Sequence, residues 1–318
     1  MTRRERIRAT LNHQETEKLP VDFGSRSSAI EIETYNRLRN YLGIEEELGC
    51  FLRAHAEMHD KVLDFLQVDT RWIRAIPEES WIREENAWTY FDAWKVPWKK
   101  LDDSYYYELG GSPLSGLKTD ELAKQRWDIL PEELLQSIEN RTKRLFEETE
   151  AALFCDQIGA GIFERAWYLR GFEQFLLELA AEPESTMAYL EHITVTQIQA
   201  YERLLSRIGR YIEGVIITDD VASQEALLIS PELYRKMIKP LQQQLIESIQ
   251  SFGLKVIHHC CGAIREIIPD FIEMGIEIIH PVQSTARGMD AGELNREFGK
   301  DLVFWGGGCD TDLLQHGS

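Results

Sequence analysis

The chain has 318 residues, of which 54 are acidic and 35 are basic, so its formal net charge is −19. A chain this acidic is a poor general binder of nucleic-acid phosphates, and no run of about eighteen apolar residues is present to cross a membrane. The five cysteines are odd in number and scattered, which argues against a disulfide framework. The N-terminal segment is charged, unlike a secretory signal peptide, and we expect a cytoplasmic protein.

The first seventy-five residues predict short helices and strands in alternation. Apolar residues recur at helical spacing near 3–11, 29–42 and 58–66. Apolar, β-branched runs near 19–24 and 68–75 predict strands, and Gly24 ends the first of them.

An aromatic-rich insertion follows, near residues 78–127. Tryptophans, tyrosines and charges are mixed there without a helical period, which favours twisted hairpins such as 87–91 followed by 94–98. Insertions of this kind more often cap a domain or form a dimer contact than bind a cofactor. We therefore predict a cap or a contact between copies.

The second half of the chain alternates strands and helices regularly, which is typical of a parallel sheet with helical crossovers. Polar side chains follow most of the strands. Strands are predicted near 151–158, 214–218, 254–259, 276–279 and 302–305, and helices near 137–148, 163–169, 172–181, 183–208, 230–252, 263–274 and 290–298.

The fold class that this order favours is an α/β protein, a TIM (β/α)8 barrel forming one domain over residues 1–318. A doubly wound sheet is the competitor, but the phosphate-binding fingerprints of nucleotide-binding sheets are absent. Seven barrel strands can be counted, including the one near residue 20. We therefore expect the final strand and helix to be lacking in this chain.

The stretch from His258 to Gly262 holds the strongest candidate site. It lies where a predicted strand ends, and side chains alternate between the two faces of a strand. His259 and Cys261 therefore share one face, and an imidazole with a thiolate is half of a zinc site. A buried histidine and an inert core cysteine are the alternative, which we assign to His258 and Cys260 on the opposite face.

Polar residues at other strand ends complete the candidate site. Asp219 and Asp220 are the catalytic candidates, since either could hydrogen-bond an amine-bearing or pterin-like substrate or orient a metal ligand. One of the pair faces the barrel mouth, and the sequence leaves open which. Substrate-binding candidates are Asp22, Gln283 and Asp310.

Taken together, these motifs resemble the uroporphyrinogen decarboxylase superfamily, which includes zinc-dependent corrinoid methyltransferases. The resemblance implies a (β/α)8 barrel with its site at the carboxyl ends of the strands. It rests on Arg3-Arg4-Glu5-Arg6 with Leu19-Pro20-Val21, on Phe163 to Phe172, on Thr218-Asp219-Asp220 with Ile229 to Tyr234, on His259-x-Cys261-Gly262, on Pro281-Val282-Gln283 and on Trp305 to Asp310.

The resemblance separates two chemistries. Decarboxylases of the family carry an arginine-rich loop after the first strand, and the matching place here, residues 22–28, has only Arg26. The methyltransferases bind zinc through the His-x-Cys-Gly motif, which His259 and Cys261 match. Their further ligand lies near the last strand, and Cys309 is a candidate by its position alone.

The function that follows is a zinc-dependent methyltransferase that takes a methyl group from a methylcorrinoid, carried by a partner protein, to a thiol or a folate. We expect no nucleic-acid or membrane partner, and the resemblance makes a homodimer plausible. Two alternatives stay open. One is a decarboxylase-like carboxy-lyase acting on a tetrapyrrole or aromatic acid, and the other is an inactive barrel fragment.

Overall fold

A computed structural model describes residues 1–45, 49–76, 79–104 and 106–307. Its centre is a six-stranded sheet in which every neighbouring pair is parallel. The strands of this sheet are β3 (Thr70–Ile73), β8 (Ala152–Cys155), β9 (Gly214–Thr218), β10 (Lys255–His259), β11 (Ile278–His280) and β12 (Val303–Phe304).

The strand order is β12-β11-β10-β9-β8-β3, so the strands lie side by side in the order of the chain. This is the arrangement that right-handed crossover helices produce. Thr218 of β9 is in register with His259 of β10, and His259 is in register with His280 of β11. The three residues form a row at the carboxyl end of the sheet, and the candidate site lies there.

Helices connect the strands and cover one face of the sheet. Twelve α-helices lie within the described residues: α1 (Arg3–Leu11), α2 (Ile32–Tyr41), α3 (Asp60–Phe65), α4 (Thr119–Leu122), α5 (Glu132–Glu148), α6 (Ile162–Arg170), α7 (Phe172–Ala181), α8 (Pro183–Ile208), α9 (Pro231–Met237), α10 (Lys239–Gln250), α11 (Ile268–Glu273) and α12 (Ala291–Phe298). Short 3₁₀ turns at Gly209–Tyr211 and Arg265–Ile267 follow α8 and precede α11.

The two faces of the sheet bury different cores, as the alternation of side chains along a strand requires. One face packs on the helices through residues such as Val256. The other face forms an inner cluster from which Trp72, Phe154, Ile216 and Ile257 project. Each of these four residues comes from a different strand, so neighbouring strands fill the same interior.

Helix α1 lies across the amino-terminal edge of the sheet. Ile7 and Leu11 join the inner cluster, and the other side of the helix pairs with residues just before the strands. Arg6 forms a buried ion pair with Asp69, which precedes β3, and Arg8 binds Glu213, which precedes β9, at 2.8 Å. The charged N-terminal helix predicted from sequence is confirmed, and it seals the end of the interior opposite the candidate site.

The predicted strand at 19–24 is wrong. Val21 is the residue of this segment that pairs with the chain before β3, where its carbonyl accepts from the Asp69 amide. Asp22 instead turns into the interior, where Thr70, Trp72 Nε1 (2.8 Å), Trp305 Nε1 (2.9 Å) and Ser28 donate hydrogen bonds to its carboxylate. Apolar composition predicted a strand, but the buried carboxylate determines the local path of the chain.

Asp22 links the two edges of the parallel sheet. Trp72 belongs to the edge strand β3, whereas Trp305 directly follows the other edge strand, β12. The two indole rings contact each other edge to face, with centroids 6.3 Å apart. The sheet is therefore strongly curved, although β3 and β12 do not pair with each other within the described residues.

None of the described helices is both long and apolar enough to cross a bilayer.

The aromatic-rich insertion folds into its own antiparallel sheet, and a small hairpin precedes it. The predicted hairpin is confirmed in its first strand, Ala87–Phe91. The second strand begins at Pro97 rather than Trp94, because Asp92 accepts from the Trp94 and Val96 amides and holds a turn there. The strands are β1 (Cys50–Phe51) and β2 (His55–Ala56) in the hairpin, then β4 (Ile82–Arg83), β5 (Ala87–Phe91), β6 (Pro97–Leu101) and β7 (Tyr107–Leu109).

We expect the Asp22→Asn substitution to lower the free energy of unfolding by about 1–3 kcal/mol, because the new amide N–H₂ would face donors in a buried site. Urea unfolding monitored by tryptophan fluorescence measures this change. Asp301→Asn, at an exposed carboxylate, is the matched control and should change little. Unchanged stability of the Asp22 variant together with altered ligand binding would instead support the substrate-binding role predicted from sequence.

Candidate active site

The His259 imidazole lies at the carboxyl end of β10, on the interior face of the sheet. Its Nδ1 hydrogen-bonds Nδ1 of His280 at 2.7 Å, and its Nε2 lies 3.6 Å from Sγ of Cys261. One of the two Nδ1 atoms must donate in this contact. The contact holds the His259 ring in place and leaves Nε2 directed at the thiol, an arrangement that is typical of metal-binding histidines.

Asp220 completes a three-residue group with His259 and Cys261. Its Oδ1 accepts from the Cys261 amide at 2.7 Å and lies 4.0 Å from Nε2 of His259. Donor atoms of all three side chains lie within 4.8 Å of one another, and all three residues are half-buried. We call this group the metal triad.

The metal triad fits a zinc ion. Imidazole nitrogen, thiolate sulfur and carboxylate oxygen are the donors that zinc takes in proteins. At bond lengths of about 2.0–2.3 Å, tetrahedral geometry separates donors by about 3.3–3.8 Å. The 3.6 Å and 4.0 Å separations found here are close to that range. Three protein donors would leave one coordination position for another ligand.

The loop after Cys261 depends on a glycine. Gly262 has φ +95°, and a Cβ added there would lie 2.4 Å from the carbonyl oxygen of Ser223. Its amide donates to Oε1 of Gln283 at 2.8 Å. Gln283, predicted to bind substrate, therefore contacts the backbone of the loop that carries Cys261.

Asp219 is buried behind the site and holds helix α6. Its carboxylate accepts from the amides of Ile162 (3.1 Å), Phe163 (3.1 Å) and Glu164 (2.9 Å), the first three residues of α6, and from Nε2 of Gln242 (2.8 Å). Burial, and then the charge of Glu164, raise the pKa of Asp219 to about 7, while these donors oppose the rise. Of the two adjacent aspartates, Asp220 therefore belongs to the metal triad and Asp219 positions the helix.

Gly161 allows this approach of helix to strand. A Cβ on Gly161 would lie 2.0 Å from the carbonyl oxygen of Thr218 and 2.5 Å from Cβ of Asp219. Only a glycine leaves room for the first turn of α6 to contact the end of β9.

Glu164 is a site residue that the sequence analysis missed. Its carboxylate accepts from the Tyr168 hydroxyl at 2.7 Å, and the Thr218 hydroxyl lies at 3.4 Å. Burial, and then the nearby Asp220 charge, raise the pKa of Glu164. The sequence carried a signal, because Glu164 and Arg165 are two adjacent charges inside the otherwise apolar run from Ile162 to Leu169.

A cavity of about 300 Å³ opens in front of these groups, between the parallel sheet and the antiparallel sheet. His259, Asp220 and Glu164 form part of its wall. Aromatic side chains from the insertion and from α6 form another part of the wall: Tyr90, Trp94, Trp98, Tyr107 and Tyr168. The insertion was predicted to cap the domain, and here it lines the site itself.

Burial keeps the two histidines and the thiol of the site in their neutral forms. Burial lowers the pKa of His259 to about 4 and that of His280 to about 3, the latter also through His259. Burial, and then Asp220, raise the pKa of the Cys261 thiol to about 12. Both histidines are therefore neutral at pH 7 and available as donors, whereas Cys261 would lose its proton on binding a metal.

The remaining candidates lie elsewhere. His258 stacks on Phe271 in the helix layer, with ring centroids 4.5 Å apart, and Cys260 is buried in the same core. Asp22 is in the hydrogen-bonded cluster that joins Trp72 and Trp305. Cys309 and Asp310 lie outside the residues that the structure describes.

A family model matches more than half of the chain, and a solved structure shares its fold. Residues 133–318, more than half of the chain, match the family model described as uroporphyrinogen decarboxylase (URO-D). No curated protein matches the chain. Among solved structures, a methyltransferase from Methanosarcina mazei matches with a TM-score of 0.61 and 16% sequence identity, over 96% of this chain and 82% of that one. At this identity the structural match concerns the fold.

Gly161→Ala should lower the free energy of unfolding by about 1–3 kcal/mol or more, because the added methyl group overlaps the end of β9. Chemical denaturation measures the change. Gly116→Ala is the control, since a Cβ there meets nothing within 4 Å. Equal stability of the two variants would show that α6 does not need this close contact.

His258→Phe should reduce the acid sensitivity of the fold. Burial lowers the pKa of His258 to about 3, and neither ring nitrogen has a hydrogen-bond partner among the described residues. Because the unfolded chain binds a proton near pH 6.5, His258 removes stability as pH falls below that value, by about 1.4 kcal/mol per pH unit.

Unfolding measured at pH 7 and pH 5 tests this. The drop in unfolding free energy between the two should be smaller in the His258→Phe variant, by about 2 kcal/mol. His13→Asn, at an exposed histidine, should keep the wild-type profile. An unchanged profile in the His258 variant would mean that this ring accepts a proton in the folded state.

Proposed function

We propose that the protein, which belongs to the uroporphyrinogen decarboxylase family, is a zinc-dependent methyltransferase. It takes a methyl group from a methylcorrinoid carried by a partner protein and passes it to a thiol or folate acceptor. The family match and a methyltransferase of similar fold support the class of enzyme. The choice of reaction rests on the residues of the site.

The metal triad is the observation that carries this proposal. Asp220, His259 and Cys261 come from the ends of two neighbouring strands, and their donor atoms lie within 4.8 Å of one another. Asp220 and His259 also line the cavity. An inert core would bury the thiol and the imidazole among aliphatic side chains. Here the buried, inert pair is His258 and Cys260, while His259 and Cys261 face the interior.

Each residue has a defined task in this proposal. His259 and Cys261 hold the ion, and His280 fixes the orientation of the His259 ring. Asp220 offers an oxygen as the third donor and also positions the Cys261 amide. When bound, zinc would lower the pKa of an acceptor thiol and so favour the nucleophilic thiolate near neutral pH. Cys309 remains a ligand candidate by its sequence position, as an alternative to Asp220, which keeps one coordination position for the thiol.

The cavity accommodates the acceptor. Its volume of about 300 Å³ suits a small molecule, and its aromatic wall keeps bulk water from one side of the metal triad. A folate acceptor would bring a pterin ring to the same wall, with Glu164 and Asp220 as hydrogen-bond partners. The methylcorrinoid would approach from the open side of the cavity on its carrier protein.

We extend the proposal to the fold and the assembly. The curved sheet, with Trp72 and Trp305 joined through Asp22, supports a (β/α)8 barrel of which six strands lie in the described residues. We further propose a homodimer, as in the superfamily that the sequence resembles. Asp310 is retained as a substrate-binding candidate on its sequence position.

Decarboxylation of a tetrapyrrole or aromatic acid is the second candidate, and the cavity favours it less. That reaction needs cationic side chains to grip carboxylates. Arg26 and Arg165 are the arginines of the cavity wall, and Arg165 already binds Asp92 at 2.7 Å. Carboxylates near the metal triad would repel an acidic substrate.

Purified protein should contain about one zinc ion per chain, measured by inductively coupled plasma mass spectrometry. His259→Ala and Cys261→Ala should each lower zinc affinity at least about a hundredfold, since each removes a ligand. Cys260→Ala is the matched control, because that neighbouring thiol is buried in the helix layer and should leave zinc binding intact.

The reaction itself is tested with methylcobalamin as donor and a small thiol as acceptor. We expect zinc-loaded protein to methylate the thiol and the Cys261→Ala variant to lose that activity. Zinc retained by both ligand variants would remove the metal triad from the proposal. Release of CO₂ from a tetrapyrrole by metal-free protein would establish the decarboxylase instead.

A further inference from the structure

Glu164 is an acidic side chain of the cavity wall that lies outside the metal triad. Among the described residues, no lysine or arginine lies within ion-pair distance of its carboxylate, and the side chains that hydrogen-bond it are the hydroxyls of Tyr168 and Thr218. A buried carboxylate without a counter-ion is costly unless a cation reaches it. Glu164 lies on the cavity wall, where a ligand can supply that cation.

Two other acidic side chains of the wall are already in ion pairs. Asp92 is paired with Arg165 at 2.7 Å, and Glu79 is paired with Arg74 at 3.4 Å. The carboxylates of Glu164 and Asp220 remain, next to each other at the carboxyl end of β9. The metal triad uses Asp220, so Glu164 is the remaining acidic group for an organic ligand.

Aromatic rings continue from Glu164 across the cavity. The Tyr168 ring, whose hydroxyl binds Glu164, packs edge to face on Trp98 with centroids 5.2 Å apart. Trp98 packs in the same way on Tyr107, at 5.6 Å. Arg165 already lies over the rings of Trp94 and Tyr168, at 5.2 Å and 5.6 Å. A wall of this composition attracts cations through the negative faces of its rings.

We propose that the methyl acceptor is a thiol that also carries an ammonium group, bound between Glu164 and the ring of Trp98. The thiol end lies toward the metal triad, and the ammonium end toward Glu164 and the aromatic wall. The cavity binds neutral thiols and thiols with a terminal anion more weakly. That the acceptor is a thiol rests on the proposed function. The preference for an ammonium group rests only on Glu164 and the aromatic wall.

The ammonium preference is tested first without metal and without thiol. Isothermal titration of metal-depleted protein with n-propylammonium, n-propanol and propanoate should give tightest binding for the ammonium ion, by about tenfold or more over the alcohol. Glu164→Gln should abolish this preference. Glu173→Gln, at an exposed position at the start of α7, is the matched control and should retain it.

A second variant keeps the test independent of any folding defect at Glu164. Trp98→Leu alters no charge, and it should lower the affinity for n-propylammonium severalfold while changing that for n-propanol less. Trp88→Leu, in the same antiparallel sheet but outside the cavity wall, should change neither. Equal affinities for ammonium and alcohol in the wild-type protein, or tightest binding of propanoate, would overturn the inference.

Zinc-loaded protein then receives three thiols of similar length: 2-aminoethanethiol, 2-mercaptoethanol and 3-mercaptopropionate. We expect the aminothiol to bind tightest by titration, with the order lost in Glu164→Gln. Preference for the anionic thiol would overturn the inference while leaving zinc binding intact. Conversely, a chain that binds no zinc but prefers n-propylammonium would refute the proposed function and retain the cation site.

Discussion

The carboxylate of Asp219 is the contact on which the site depends. It satisfies three backbone amides at the start of α6, groups that have no partner within a helix, and it also binds Gln242 of α10. One buried side chain thereby joins β9 to two helices. Glu164 reaches the cavity because α6 begins there, and Gly161 is the residue that permits the approach.

The register of the parallel strands brings Thr218, His259 and His280 together in one row at the site. Parallel strands in register bring residues that are 21 and 41 positions apart to one edge, where their side chains can touch. The His259–His280 contact and the placement of Asp220 beside Cys261 follow from this register. A shift of one residue in β10 would turn His258 inward and bury His259 in the helix layer.

The acidic groups of the cavity differ in their surroundings from those on the surface of the protein. The chain carries a formal charge of −19, and its surface acids lie in water or in ion pairs. Glu164 is instead buried and Asp220 half-buried, and burial opposes their ionisation. Two such carboxylates favour a cation as ligand. In the proposed function this cation is a metal ion, and in the further inference it is an ammonium group.

Local patterns sufficed for much of the fold. The strand Gly214–Thr218 and the helices Phe172–Ala181 and Pro183–Ile208 were predicted with the bounds that the structure has, because apolar periodicity and stop residues act within a few positions. The same alternation predicted that His259, at the end of β10, and Cys261, two residues later, lie on the same side of the chain. The strand predicted at 19–24 was wrong. Its apolar residues are typical of a strand, but the path of the chain there is set by the hydrogen bonds that Asp22 accepts from Trp72 and Trp305, which are distant in sequence.

Only the tertiary structure decided which residues that are far apart in the chain contact one another. Asp219 and Asp220 are adjacent, and the sequence could not say which faces the cavity until α6 and the Cys261 loop took their positions around them. Glu164 lies 54 residues before Thr218 and joins the site only when α6 packs on β9. Periodicity determines which face a residue occupies, but packing determines what stands opposite that face.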